Sequence, residues 1–294
     1  MRLLLLILFS LLSNSASAID WSKIEGTQLT LFFPGQYSWE WLLTSHQGAN
    51  SIKKGRGCFL CHKGQEKKKG EAILKHDHHH NAMNSSSLDV IVKAAYDKDD
   101  LHINISHDAH QSVTNYTLML DDGSVRASTV AGCWAYCHED QSEMKAAGTG
   151  ERSHYLSQSR SELTTQGGGD SLVSSQTLEK LVSEKQFNEI WQARLSTGNK
   201  AVTTSGYILE KRHLVDNNSV KAQTRHHHGQ NAIVFSRKLK SARKFQKDLN
   251  SENLIYLGLA VHRKGNSGRT HLVSFPFTLS LNKNISADVN AKAL

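Results

Sequence analysis

Between Asp89 and Tyr96, apolar Val90, Val92, Ala94 and Tyr96 alternate with polar Asp89 and Lys93, the period-two pattern of a half-buried strand. Leu101, Ile103 and Ile105 alternate with His102 and Asn104 in the same way. Tyr116, Leu118 and Leu120 repeat the pattern and end at Asp121-Asp122-Gly123, a turn signal. Four later stretches also read as strands: Gly206–Lys211, Ala232–Ser236, Leu254–His262 and His271–Leu281. Leu178, Leu181 and Val182 mark a short amphipathic helix after a Gly- and Ser-rich loop at 161–175. The fold class expected is therefore mainly β, with turns built from Gly, Asn and Asp because the chain has only 2 prolines.

The last two strands carry a positional argument. On Leu254–His262, residues Tyr256, Gly258, Ala260 and His262 share one face, and Ile255, Leu257, Leu259 and Val261 the other. The small Gly258 and Ala260 leave room beside His262 for a flat ligand. With Asn266-Ser267 at the centre of the turn, His262 and His271 pair directly and point to the same side. A slip of one residue would put them on opposite faces.

The chemistry lies in the cysteines. Cys58-Phe59-Leu60-Cys61-His62 is C-x-x-C-H, the attachment signature of c-type haem. Two thiols bond covalently to the haem edge, and the following His is placed to bind iron. Cys133-Trp134-Ala135-Tyr136-Cys137-His138 repeats the pattern with one extra residue, and the two sites use all 4 cysteines. A structural zinc site of four cysteines would give His62 and His138 no role. Two small-loop disulfides are the other reading, natural in an exported chain. The expectation is two covalently bound c-type haems, on Cys58 and Cys61 and on Cys133 and Cys137, with His62 and His138 as the proximal iron ligands.

The N-terminus agrees. Arg2, the apolar run Leu3–Leu12 and Ala16-Ser17-Ala18 follow the order of a secretory signal peptide cleaved near Ala18. The run is too short to span a bilayer comfortably, and covalent haem is attached after export in bacteria. The expected location is the periplasm, without stable membrane insertion. The organisation expected is a signal peptide at 1–18, an N-terminal c-type haem module at 19–84, a β-sandwich haem-binding domain with the second motif at 85–285, and a tail at 286–294. The module is largely irregular or helical, and its haem must supply much of its core.

The formal charge is +8, unevenly spread. Lys53, Lys54, Arg56, Lys63, Lys67, Lys68, Lys69 and Lys75 face only Glu66 and Glu71 within their stretch; a second basic run is Arg237, Lys238, Lys240, Arg243, Lys244 and Lys247. With a signal peptide ahead of them, nucleic acid is not the expected partner. Each run is either a solvated face or a docking surface for an acidic redox protein, and the first is the better candidate because it surrounds a haem motif.

The second ligand of each iron is less constrained. His46, upstream of Cys58 in the same small module, is favoured for the first haem, with His76 and His78 to His80 as rivals. His271 or His262 is favoured for the second, followed by His154 and by Met144, Met being an axial ligand that raises potential. The triplets His78-His79-His80 and His226-His227-His228 could bind a divalent metal, although consecutive strand residues point to opposite faces.

Six segments in order, Leu31–Leu43, Gly57–Gly64, Val92–Ile103, Gly132–Asp140, His154–Arg160 and Leu257–Leu281, resemble bacterial c-type cytochromes built on the haem-binding domain of ethylbenzene dehydrogenase gamma subunits. The resemblance implies a haem-holding β-sandwich and electron transfer alongside a molybdoenzyme or a quinol dehydrogenase chain. In those subunits the haem is of b type, held by a Met and a Lys. Here Cys133 and Cys137 offer covalent attachment, and His154 stands where the family often has Lys. The leading function is a dihaem electron carrier between a quinol-oxidising or cytochrome donor and a terminal reductase, and not an enzyme. The alternatives are a haem enzyme with one open iron, such as a peroxidase or small-oxide reductase, and a haem-binding subunit or sensor without net electron transport.

Overall fold

The computed structural model describes residues 19–34, 45–53, 56, 58–76, 85–110, 112–125, 172–196, 200–216, 218–241, 243–263 and 271–294. The signal-peptide stretch, Cys133, Cys137, His138, Met144, His154 and His78 to His80 lie outside them.

Among the described residues, fourteen strands form one continuous sheet. They are β1 (Thr27–Phe32), β2 (Ser87–Tyr96), β3 (Asp100–Asp108), β4 (Val113–Asp121), β5 (Asn188–Leu195), β6 (Ala201–Ile208), β7 (Arg212–Asp216), β8 (Val220–His227), β9 (Gln230–Lys238), β10 (Ile255–Arg263), β11 (His271–Val273), β12 (Phe277–Ser280), β13 (Val289–Asn290) and β14 (Lys292–Ala293). The helices are α1 (Ala49–Lys53), α2 (Phe59–His62), α3 (Glu66–His76) and α4 (Ser175–Ser183). The main order is β7-β6-β5-β4-β10-β11-β1-β2-β3-β9-β8, antiparallel throughout this path.

The expected mainly-β class is what the chain forms, as a curled sheet. Its two ends approach one another: the Ser205 hydroxyl on β6 lies 2.8 Å from that of Ser219, at the start of β8. Strand alternation decides what the curl encloses. Val90, Val92 and Ala94, Leu101, Ile103 and Ile105, and Leu118 and Leu120 all face the enclosed core, together with Ile255, Leu257, Leu259 and Val261 of β10.

The other face of the sheet carries a second apolar cluster, with Phe32, Met119, Ile190, Ala260, Val273 and Phe275 among its members. The apolar side of α4 packs on it through Leu178, Leu181 and Val182, and so do Cys58 and Phe59 at the start of α2. This outer cluster seats the first haem motif. Helix α3 is fixed to the same part of the sheet, with Ile73 reaching the enclosed core. A Cβ on Gly70 would collide with the Ser86 carbonyl and lie 3.3 Å from the Phe32 Cβ.

Some expectations needed correction. Gly206–Lys211 is not one strand; it spans the end of β6 and the turn before β7. His271–Leu281 breaks at 274–276 into β11 and β12, and β1, β5, β7 and β8 had no counterpart in the pattern reading. β1, from the 19–84 stretch, is paired into the sheet between β11 and β2.

Two members of the second basic run, Arg237 and Lys247, are interior, while Lys238, Lys240, Arg243 and Lys244 are exposed. Arg237 forks onto Glu189, Nε to Oε1 at 3.0 Å and Nη2 to Oε2 at 2.6 Å. Trp191 Nε1 and the Lys247 backbone N–H also donate to Glu189. The Lys247 ammonium is buried and donates to Asp121, Asp122 and Ser124, each at 2.7 Å. Such desolvated charges persist only when their hydrogen-bonding capacity is filled. Lys238 spends its charge on Asp100 at 3.0 Å.

Candidate haem site

α2 is a single turn. The N–H groups of Cys61 and His62 both donate to the Cys58 carbonyl, at 3.2 and 3.1 Å. Three residues apart on one turn, the two cysteines share a side of the helix, and His62 follows directly. Gly64, at φ +83°, ends the turn in the left-handed region where Gly has no steric penalty. Two ion pairs then moor this segment to the sheet side. Lys63 meets Asp288 at 3.1 Å, and Lys67 meets Asp89 at 2.7 Å. Both carboxylates are held from behind: Asp288 accepts from the Thr278 N–H and hydroxyl, and Asp89 from the Thr30 hydroxyl.

Cys58 and Cys61 are free thiols, not a disulfide, the first half-buried and the second exposed. Burial pushes the Cys58 thiol above its ordinary value. Beside Cys61, Leu60 is 62% exposed, a large apolar side chain left in solvent.

His46 lies across from His62, their ring centroids 6.1 Å apart and the planes at 69°. Burial, and then the Lys69 charge, lower both imidazoles from the ordinary histidine value. His62 Nδ1 is buried with no hydrogen-bond partner among the described residues, a state that buried polar atoms seldom keep without a reason. His46 Nδ1 accepts from the Gly48 N–H at 2.9 Å, so the proton of its neutral ring sits on Nε2. Use of Nε2 as a ligand would shift that proton to Nδ1 and give up the Gly48 bond.

These residues fit a covalent haem. Two imidazoles bound on opposite sides of one metal, each nitrogen about 2 Å away, have ring centroids roughly 6 Å apart. That is the separation seen, next to two unbonded thiols and an exposed apolar side chain that a macrocycle would cover.

The rest of the predicted ligand set divides. His262 and His271 pair across β10 and β11 in the expected register. Their rings stack at 5.2 Å and 28°, and His271 is buried. They share the outer face with Ala260, so only one of a stacked pair would reach a given group. The next strands extend this row as Asn115 and Arg194; Thr117 and Gln192 are buried there and Asn115 is half-buried. His76 ends α3 and its side chain is not described. His226 Nδ1 lies 2.9 Å from Asn231 Oδ1, and no group of three metal-type side chains occurs among the described residues. No helix among them is long and apolar enough to cross a membrane.

The charge reading counted Lys69 only as one cation of a basic run, and missed Asp89 and Asp288 as partners of that run. Asp89 had a signal as a polar residue of a half-buried strand; Asp288 lay in a stretch assigned to a tail and had none.

Over 280 residues the chain is 26% identical to "Cytochrome c-551" of Rhodocyclus tenuis, covering 90% of this chain and 95% of that protein. Over 285 residues it is 27% identical to "Cytochrome c-552" of Stutzerimonas stutzeri, covering 91% and 89%. The chain is a distant relative of c-type cytochromes. No family model matches it, so the resemblance to the gamma subunits rests on the six segments alone. Among solved structures, a carbohydrate binding module family 9 from Caldicellulosiruptor kristjanssonii, in complex with cellotriose, aligns over 70% of this chain and 75% of its own at TM-score 0.30 and 8% identity. That likeness is too low to bear on fold or function.

Proposed function

We propose that this chain is a periplasmic dihaem c-type cytochrome that carries electrons between a donor and a terminal reductase. The observation that carries the reading is the His46–His62 pair, spaced for one metal beside the Cys58 and Cys61 thiols. Haem bound there would supply a one-electron couple; the chain's part is to fix its ligands, its burial and its surroundings. Cys58 and Cys61 would hold the macrocycle covalently. His62 and His46 would both hold its iron and leave no site for a substrate there, as an electron carrier requires; an enzyme with one open iron would have to use the second motif. The second haem belongs to Cys133, Cys137 and His138, and the relatives' names support c-type haem without fixing its number.

The partner is an acidic redox protein. Lys63 and Lys67 are committed to ion pairs, whereas Arg56, Lys68 and Lys75 are exposed around the same helices and have no carboxylate partner among the described residues. Leu60, in the same stretch of chain, is an exposed apolar side chain.

The test is pyridine haemochrome with peptide-mapped intact mass, on protein matured in an export-competent host. Two covalent haems, one on each cysteine pair, are expected. Haem on the first pair alone would remove the dihaem reading, and haem on neither would remove the cytochrome reading.

A further inference from the structure

The Lys247 amine lies in a closed polar pocket at the exit of β4. Its side chain and that of Asp121 are each 0% exposed, whereas the Asp122 side chain keeps 31%. Nζ lies 2.7 Å from Asp121 Oδ1, from Asp122 Oδ1 and from Ser124 Oγ. The ring of buried Phe187 lies 5.6 Å away on another side. The other oxygen of Asp121, Oδ2, accepts from the Gly123 and Val125 N–H groups at 2.9 and 3.1 Å. One carboxyl thus has an amine at one oxygen and two backbone donors at the other, the kind of arrangement that stabilises charge on an acyl oxygen. A second carboxyl touches the same amine, so two acids share one cation. Burial raises the Asp121 carboxyl above its ordinary value against the pull of Lys247. Burial opposes charge on Asp122 too, but the Lys247 charge and hydrogen bonds from Lys247 and Ser124 outweigh it and hold that carboxyl below its ordinary value. Asp121 is thereby the acid of the two and Asp122 the base.

We propose that Lys247 and Asp121 condense to an intramolecular isopeptide bond, with Asp122 as the proton carrier. The step needs no oxidant and no cofactor. Asp122 takes a proton from the Lys247 ammonium, and Nζ adds to Asp121 Cγ. The carbonyl electron pair moves to Oδ2, where the Gly123 and Val125 N–H groups hold it. The nitrogen passes a second proton to Oδ1, which already carries one and leaves as water as the carbonyl re-forms. Asp122 keeps the first proton. Holding the two groups in contact supplies the effective concentration that amide formation needs, and burial of both keeps water from the product. The bond joins the exit of β4 to the stretch after β9, whose Gln246 also reaches Ser219 at the start of β8, at 3.0 Å.

The experiment is a protease map of the full chain by mass spectrometry, denatured after folding, with fragmentation to locate any branch. Wild type is expected to give a branched peptide that joins the segments around Asp121 and Lys247, one water lighter than the two together. Lys247→Arg keeps the positive charge but not the amine, and Asp121→Ala removes the acyl group; both should give only the separate linear peptides. Asp122→Ala keeps both reacting groups and should lower the cross-linked fraction severalfold. Recovery of the two linear peptides alone from folded wild type overturns the proposal and leaves an ordinary buried ion pair. A branch at Asp122 overturns the assignment of Asp121 as the acyl group. Undiminished cross-linking in Asp122→Ala overturns that of Asp122 as proton carrier. The wild-type map decides the bond itself even if no variant folds.

Discussion

At the scale of single residues, the account turns on His46. Replacing an axial imidazole by a thioether raises a haem potential, so His46→Met should move one transition upward and exchange a bis-imidazole for a His/Met electron paramagnetic resonance signature. His271→Ala should leave that signal unchanged. Arg237 gives a stability counterpart. Removing one member of a buried ion pair typically costs about 3–5 kcal/mol, because the other charge is left desolvated. Arg237→Met should show a loss of that order in urea unfolding, and Arg237→Met with Glu189→Gln should recover part of it. Arg237 was legible in principle: it continues the Ile233, Phe235 alternation of β9 onto the enclosed face. Counted instead as one more cation in a basic run, it looked like surface. Lys247 lies on no strand and had no such signal.

Elements were readable where apolar residues alternate along the sequence: β2, β3 and β4 were found in this way, although both faces of β4 are buried over its second half, and β10 was found as an apolar run buried on both faces. The register of β10 against β11 followed from the turn residues. β5 was missed because Glu189, polar in sequence, points inward to Arg237. The attachment of α3 rests on contacts that no local pattern encodes. Gly70→Ala would gain up to about 1 kcal/mol of helix propensity but force a methyl against the Ser86 carbonyl, an overpacking cost of about 1–3 kcal/mol. A net fall in melting temperature with weaker haem retention is expected. Acid should loosen the same helices. Burial works against the charged forms of Asp89 and Asp288, yet their hydrogen bonds and the Lys67 and Lys63 charges outweigh it. Both carboxyls are therefore held below the ordinary value of 3.8. With folded values depressed, their stabilisation is complete above the unfolded value and is lost as pH falls through the folded ones. Limited proteolysis in a pH series should therefore cut near α2 and α3 more readily below about pH 4.

On the scale of the whole molecule, a curled sheet encloses one core and offers its outer face to the segment that carries Cys58 and Phe59. Electron exchange with an acidic partner should slow as ionic strength rises. Lys68→Glu should slow it more than Lys240→Glu, since Lys68 lies in the helix that follows the first haem motif and Lys240 lies far from it in sequence. The two Cys–His patterns and the N-terminal apolar run were readable as motifs because covalent haem attachment and secretion each need fixed residue types at fixed spacing. His46 was favoured from its place upstream of Cys58, but how its ring faces His62 was not readable from spacing. The most direct test of a carrier with filled axial positions is the carbon monoxide difference spectrum of the reduced protein. No spectral change is expected in wild type, and His46→Ala should bind one equivalent. Stoichiometric carbon monoxide binding by the wild type would show an open iron and contradict the account.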